Sequence, residues 1–525
     1  MTPYGARTPG TERTETEGAH SVTMRSALPF LLSAASVVAV FLSMSSPDLH
    51  GQILWGSVGL SAYLASLFGL LFSGSNSFGL FEGKLGAWAL AYAIVAFGAA
   101  TVTLAQPQYG ALSVIDRSNV PMALILIGLS FTVWSVGYLL GRARIAQAPF
   151  RWVKSVVTSG RSDAVRDLWM LVGIFALGVS ASFLTVLLGG NFGYLGDSLS
   201  VSVDTVSWYS QPLEVLSGLK FVALFGLSVR VFVYRADRFA KVLLPLMVFA
   251  FFFGLLTGTK ESFVTTVVSV GVPYLLGNSK HRVLSIAGGL FVFVFVVTPF
   301  VTGLRFDVRK NSSALDVRSA LSVGADKISA ADSYRGRANG KSSVESTVER
   351  VRIIDNLALI IGKTPEQISY RSLGEVAAAP ITGFVPRLLW PNKPVRLSGL
   401  EFYKTYYKGL SISSAAITVQ GSLYLYGGPL VLLGGMFLVG LALRALDEAL
   451  NAKESLSGAL LVVIIFPVVV KQEMDVASFL ASIAVFVVTW FLGVRFIFLP
   501  VGGQQRGSGL STKNSLGSTV SGGSL

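Results

Sequence analysis

The chain of 525 residues has no cysteine and only three histidines, His20, His50 and His281. Without thiols there can be no disulfide, no thiolate nucleophile and no sulfur-held metal or cluster. Three scattered imidazoles do not assemble a His-rich metal site, so no metal and no cofactor is expected. Charge is scarce too. Asp, Glu, Lys and Arg together make up 13% of the chain, against about 25% in a soluble domain. The net charge of +14 has no nucleic-acid-binding motif attached to it. Nucleic acid is therefore not an expected partner, and where the charges lie matters more than their sum.

What fills the chain instead is apolar. Hydrophobic residues reach 52% and mean hydropathy is +0.64, which describes an integral membrane protein. A spanning helix needs roughly 20 mainly apolar residues. Such runs fall near 27–45, 53–72, 85–105, 120–140, 168–188, 213–234, 241–257, 261–277, 283–303, 421–443, 457–471 and 476–499. The expected fold is thus an all-α polytopic membrane protein of about 12 transmembrane helices, nine of them (26–303) before a large loop and three (416–500) after it. Met24-Arg25 and the apolar run that follows resemble the start of a signal peptide. No small-residue cleavage site follows, however, and many more spans do, so this reads as an uncleaved first span. Residues 1–25 and the Gly/Ser-rich 501–525 read as disordered tails. No internal repeat is visible.

The connections alternate in charge. Arg142, Arg144, Arg151, Lys154, Arg161 and Arg166 lie between the fourth and fifth spans, Arg235, Arg238 and Lys241 after the sixth, and Lys280 and Arg282 after the eighth. The opposite set holds Asp48, Asp116 with Arg117, Asp197, Asp204 and Glu214. The positive-inside rule then places both termini in the cytoplasm. The long segment 304–415 falls outside, with 17 Lys/Arg against 10 Asp/Glu between Leu304 and Ala415. Loops of that length escape the rule, and a surface of this sign suits either an anionic partner or plain solvation.

Within the loop, Val348, Val351, Ile354, Leu357 and Ile361 repeat at helical spacing and predict amphipathic helix over 344–361. Phe402, Tyr403, Tyr406 and Tyr407 form an aromatic group expected to anchor at the membrane interface. Between them lies Gly383-Phe384-Val385-Pro386-Arg387-Leu388-Leu389-Trp390-Pro391-Asn392-Lys393-Pro394, with Arg396 just beyond. Its prolines fix φ, remove donors and extend their neighbours, which argues against helix. The segment is either a surface turn or a stiff ribbon holding Arg387, Lys393 and Arg396 around the Trp390 indole. Two short outward turns add ions close to the hydrocarbon boundary. One is Gly258-Thr259-Lys260-Glu261-Ser262 and the other Lys471-Gln472-Glu473-Met474-Asp475. They are either snorkelling helix ends or part of a site. Together with Arg305 they would set cations and carboxylates at one depth. Arginine forks and lysine charge could clamp a diphosphate, and a carboxylate could take a proton from a sugar hydroxyl.

A many-span chain with one large outward loop towards its C-terminal third resembles the bacterial oligosaccharide repeat-unit polymerases, the Wzy-type O-antigen polymerases. The Pro386-Arg387…Trp390-Pro391-Asn392-Lys393-Pro394 stretch is similar to a recurring loop signature of that group. Gly258-Thr259-Lys260 is similar to its small-residue turn with a basic residue, and Arg305 stands where an arginine commonly closes the span before the loop. The resemblance covers roughly 160–500 in architecture and only short motifs in sequence. It implies a metal-independent glycosyltransferase that polymerises polyprenyl-diphosphate-linked oligosaccharides outside the cytoplasmic membrane for surface polysaccharide. Its surroundings would be membrane lipids, with a chain-length regulator as a partner common in the family. It further implies that Lys260, Arg305 and Arg387 hold diphosphate, and that Lys393 and Arg396, beside Trp390, hold phosphate or acidic sugar. Related ligases use a loop histidine that this loop lacks, so the base falls to Glu261, Glu473, Asp475 or Asp307.

Three rival readings remain open. A polyprenyl-phosphate-sugar glycosyltransferase would carry paired acids in its first outward loop, where this chain has Pro47-Asp48-Leu49-His50. A transporter or flippase of lipid-linked sugars would place ionisable groups at mid-bilayer. Arg230 and Arg495 lie near span ends, Glu214 lies in the outer half of the sixth span, and Lys220 is the deepest charge. The third is a non-catalytic assembly protein.

Overall fold

The computed structural model describes residues 15–73, 79–105, 116–151, 161–188, 209–256, 260–277, 351–385, 398–407, 417–450 and 455–500, with isolated exceptions inside and between these ranges. Long apolar runs leave a backbone in hydrocarbon no hydrogen-bond partner but itself, and the described chain is accordingly almost entirely helical. The longer helices are α1 (Glu15–Ser45), α2 (Leu49–Phe72), α3 (Leu85–Ala105, with a π turn and a 3-10 end), α4 (Val120–Leu140) and α5 (Leu168–Leu187). They continue with α6 (Ser210–Ser228, extended by a π turn to Val233), α7 (Ala240–Leu256) and α8 (Lys260–Leu276). After the loop entrance come α9 (Ile354–Lys363), α10 (Leu373–Phe384), α11 (Ser398–Tyr407), α12 (Val419–Leu425), α13 (Gly428–Leu450), α14 (Leu456–Lys471) and α15 (Val476–Ile497). Eight helical stretches among the described residues are long and apolar enough to cross a membrane.

Several boundaries differ from those expected. α1 reaches back to Glu15, into the stretch read as a disordered tail. Adding turns to an existing helix avoids the nucleation step that a free polar segment would face. The span expected at 421–443 is two helices. α12 stops at Leu425, and α13 starts only at Gly428, whose φ of 69° belongs to the left-handed region. Helical spacing in the loop begins α9 at Ile354, because Arg352 and Ile353 leave the helix. The span expected at 283–303 and the tail 501–525 lie outside the described residues apart from isolated positions.

Close packing builds the bundle. α4 and α13 approach until a Cβ on Gly440 would lie 2.1 Å from the Trp134 carbonyl oxygen, and one on Gly137 2.2 Å from that of Phe437. Small residues are what allow backbones to meet in a membrane, where no hydrophobic force drives helices together. Each helix end needs partners for its free N–H and C=O groups. At the start of α3 the Asp447 carboxylate of α13 accepts from the Leu85 and Gly86 amides (2.7 and 3.1 Å) and from the Tyr138 hydroxyl (2.7 Å). At the other end of α3, Arg117 donates to the Leu104 and Ala105 carbonyls, a cation set against the negative end of a helix dipole. The bundle end away from the loop is closed by a two-strand antiparallel pair, β1 (Arg161–Val165) with β2 (Phe498–Pro500).

Of the loop helices, α10 lies along α15, where a Cβ on Gly383 would come 2.3 Å from the Ala481 carbonyl oxygen, while α9 packs on the end shared by the finish of α3 and the start of α4. α9 buries Ile354, Leu357, Ala358 and Ile360 there. Arg352, just before it, grips Asp355 through two bonds of 2.8 Å and donates to Thr103 Oγ1 on α3 at 2.7 Å. α11 lies on α9: Phe402 and Tyr406 are buried, Lys363 donates to the Tyr406 carbonyl, and Tyr407 donates to Asn356 Oδ1. Half of the aromatic group expected to anchor at the interface thus forms a small core of the loop itself, while Tyr403 and Tyr407 stack at 5.1 Å.

Candidate functional site at the α14–α15 turn

α14 has 16 residues, and at 1.5 Å each it is about 24 Å long, short of a hydrocarbon core of about 30 Å. It stops at Lys471, where Gln472 takes a left-handed φ of 52°. The turn Lys471–Asp475 therefore ends inside the bundle. Gln472 Nε2 donates to the Ala89 carbonyl at 3.1 Å, and the Tyr92 hydroxyl donates to Glu473 Oε1 at 2.7 Å. Both partners belong to the first part of α3. Tyr92 lies thirteen residues, about 20 Å, short of Ala105, where α9 docks.

α12 closes the turn from the loop side. Thr418 caps it by accepting from Gly421 N. Val419 N then donates to the Gln472 carbonyl (3.0 Å), and Gln420 Nε2 to Gln472 Oε1 (2.9 Å). Gln420 is fully buried, and its own Oε1 has no donor among the described residues. Next to it, Asp475 caps α15 by accepting from Ser478 N at 3.0 Å and also from Ser478 Oγ, Ser422 Oγ and the Tyr426 hydroxyl. Four donors on one buried carboxylate make a fixed anchor. Arg371 extends the cluster outwards. Its amide donates to the Leu425 carbonyl (2.8 Å), its guanidinium pairs with Glu401 at 2.6 Å, and it also bonds Tyr426. Burial works against the Arg371 cation, but Glu401 and Tyr426 outweigh it and raise its pKa. The Tyr426 phenol is held above its ordinary range by burial, then by Asp475 and Glu375, with Arg371 opposing.

Of the residues singled out from sequence, the structure brings Glu473 and Asp475 into this cluster, in different roles. Asp475 is committed to capping. Glu473 is half-buried and carries the Tyr92 hydroxyl on one oxygen. Lys260 and Glu261 open α8. Trp390 is about one-third exposed and accepts from Lys393 N through its carbonyl, while Lys393 Nζ reaches the Val385 carbonyl at 3.0 Å. The lysine thereby fastens the chain just after α10. Arg305, Asp307, Arg387 and Arg396 lie outside the described residues. Tyr92, Gln420, Ser422 and Arg371 were not singled out. Ser422 sits in a run that reads as plain span and Gln420 just before it, and Tyr92 is 381 positions from its partner, with nothing in its own neighbourhood to mark it.

A second polar feature lies in the middle of α6. Lys220 is buried, donates to Ser182 Oγ on α5 at 2.8 Å and lies 5.1 and 5.2 Å from the ring centres of Phe221 and Phe253. Among the described residues, cation–π contact and one hydroxyl are what Lys220 meets in place of a counter-ion.

Fold and site together define a multi-pass helical membrane protein with a buried polar cluster where a docked loop meets the bundle. The chain belongs to the family described as Domain of unknown function (DUF8712), which matches residues 187–479. That stretch takes in Lys220, Arg371, Glu401, Gln420, Gln472, Glu473 and Asp475, whereas Tyr92 and Ser182 stand before it. No curated protein and no solved structure matches the chain.

Proposed function

We propose that this protein polymerises oligosaccharide repeat units carried on a polyprenyl diphosphate, at the outer face of a bacterial cytoplasmic membrane, for surface polysaccharide. The observation that carries the reading is the Glu473–Tyr92 pair, a carboxylate with a bound hydroxyl inside the bundle, on the turn that α12 closes. In the proposed reaction the acceptor sugar hydroxyl attacks the anomeric carbon of the donor. The bond from that carbon to the diphosphate oxygen breaks, and its electron pair leaves with the diphosphate. Glu473 takes the acceptor's proton. Arg305, Arg387 and Lys260 meet the leaving charge, with Lys393, Arg396 and Trp390 at the sugar or phosphate beyond. Asp475 holds the turn in place, and Glu261 remains a second candidate base.

The finer topology belongs to this proposal: about 12 spans, a large outward loop over 304–415, and both termini cytoplasmic. Its support is the ladder of basic residues at the bundle end away from the loop. The family resemblance adds a chain-length regulator as partner.

The test is glycan lengthening by purified protein given polyprenyl-diphosphate oligosaccharide, with products resolved by length in the presence of chelator. Glu473→Gln should slow lengthening by about 10²–10⁴-fold, the usual contribution of a general base. Arg387→Lys should lose far more than a surface charge would, because the fork is lost. Full activity of both variants would sink the assignment. Lys220 favours a second reading, a transporter of lipid-linked sugar, because a buried cation at mid-span is a mark of substrate paths. Transbilayer movement of the lipid-linked sugar without lengthening would select it.

A further inference from the structure

The loop helix α10 is apolar all the way round after its first turn. From Val376 to Phe384 it carries no charge, and Thr382, the one polar side chain of that stretch, donates back to the Ala379 carbonyl at 3.1 Å. A helix on the surface of a solvated loop keeps a polar face, whereas one that is apolar on every side is enclosed by protein or by lipid. Protein covers one side of α10. Val376 and Ala379 pack with Ala477 and Leu480 of α15 and with Val431 of α13, and Gly383 meets the Ala481 backbone. On the other side Leu373, Ala377, Ile381 and Phe384 follow one another at helical spacing. All four are exposed, Ile381 to 72%, and so is Leu389 beyond them.

The partners on the covered side set the depth. Both α13 and α15 are long and apolar enough to cross a membrane. Ala481 lies five residues, about 8 Å, past Val476, where α15 starts. The end of α10 is therefore level with the inside of a span, where hydrocarbon and not water surrounds the bundle. Leu430, next to Val431 on α13, is 84% exposed and continues the same apolar surface. With 12 residues, about 18 Å, α10 can enter a hydrocarbon core of about 30 Å but not cross it. Its far end is closed in the way such a place demands. A carbonyl without a donor is costly away from water, and the Val385 carbonyl, just past the helix, accepts from Lys393 Nζ at 3.0 Å. That ammonium also faces the negative end of the helix dipole.

We propose that α10 is inserted in the lipid bilayer, with its Ala377, Ile381 and Phe384 face against the acyl chains of the leaflet on the loop side, so that the loop is anchored in the membrane at this helix. The partner is lipid hydrocarbon, whatever headgroup it carries. This contact is independent of the polymerase chemistry and stands or falls without it.

The chain has no cysteine, so a single introduced thiol is the only labelling site. The experiment takes the full chain with Ile381→Cys, attaches an environment-sensitive fluorophore and reconstitutes the protein in phosphatidylcholine vesicles. The dye is then quenched in turn by spin-labelled acyl chains and by iodide present on both sides of the membrane. Phe491→Cys, exposed on α15, serves as the lipid reference, and Glu366→Cys, exposed in the turn after α9, as the water reference. Acyl-chain quenching at position 381 should match that at 491, and the iodide quenching seen at 366 should be lost. Iodide quenching at 381 equal to that at 366 would overturn the proposal. So would protection from both quenchers, which is the signature of a second copy or another part of the chain lying over α10. Should Ile381→Cys fail to fold, the unaltered chain and a lipid with a photoreactive acyl chain decide. Label within residues 373–385 supports insertion, and label on α13 and α15 with none on α10 removes it.

Discussion

Replacing Arg352 by alanine should release the loop from the bundle. The guanidinium and the Asp355 carboxylate are joined by two bonds of 2.8 Å, with side chains 3% and 9% exposed, and a third bond reaches Thr103 on α3. Removing one partner of a buried pair leaves an uncompensated charge and costs about 3–5 kcal/mol. Replacing both with apolar residues of similar size is often close to neutral. Arg352→Ala should therefore open the α9 region locally, while Arg352→Leu combined with Asp355→Leu should restore most of the docking. Limited proteolysis of the purified protein reads the open population when opening and reclosing are fast. About 3 kcal/mol corresponds to cleavage faster by roughly two orders of magnitude. Cleavage within a few-fold of wild type for Arg352→Ala would refute this account of docking. So would a double variant as labile as the single one.

The structure carries further expectations. Asp447→Ala leaves the Leu85 and Gly86 amides and the Tyr138 hydroxyl without their acceptor, and should lower stability by at least about 2 kcal/mol, read by thermal unfolding in detergent. Asp475→Asn keeps the N-cap of α15 on its one oxygen while its NH2 turns to the Ser422 and Tyr426 hydroxyls, which can rotate to accept, and it should cost less than loss of the side chain. Asp475→Ala loses the cap and the acceptor of Ser422 and should cost about 1–3 kcal/mol, so equal effects of the two would count against a capping role. Tyr407 has its pKa raised by burial, then by Asp355 and Tyr403. Above pH about 10 the unfolded phenol ionises while the folded one stays neutral. The unfolded chain then binds fewer protons, and stability falls as pH rises. Tyr407→Phe should remove that part of the alkaline loss, and an unchanged alkaline unfolding profile would contradict it.

Most of the bundle is legible in the chain because long apolar runs permit little but helix. The runs at 53–72, 85–105, 120–140 and 476–499 became helices within a few residues of their expected ends. The miss at 421–443 has a specific cause. Val419–Leu425 is apolar enough to continue a span, and the break at Tyr426–Gly427 depends on Gly428 taking a left-handed φ, which hydropathy does not register. The polar turn Lys471–Asp475 stood out because ions between two apolar runs are conspicuous. Which of its acids is free for chemistry was not visible, since that depends on Ser422, Tyr426 and Tyr92 arriving from other helices.

By itself, then, the sequence determined that this is a helical membrane protein, roughly where its helices lie, and that the stretch 304–415 is basic. Those properties are sums over composition and spacing, and they survive any arrangement of the helices. Only the tertiary structure decided that α14 is too short to carry its turn to the end of the bundle. Only it set that turn against Tyr92 of α3, committed Asp475 to a cap, and left an apolar cavity lined by Trp88 of α3 and Phe466 of α14. Hydrogen bonds and packing between helices join residues hundreds of positions apart, and in a membrane every helix looks apolar to its neighbours until they meet.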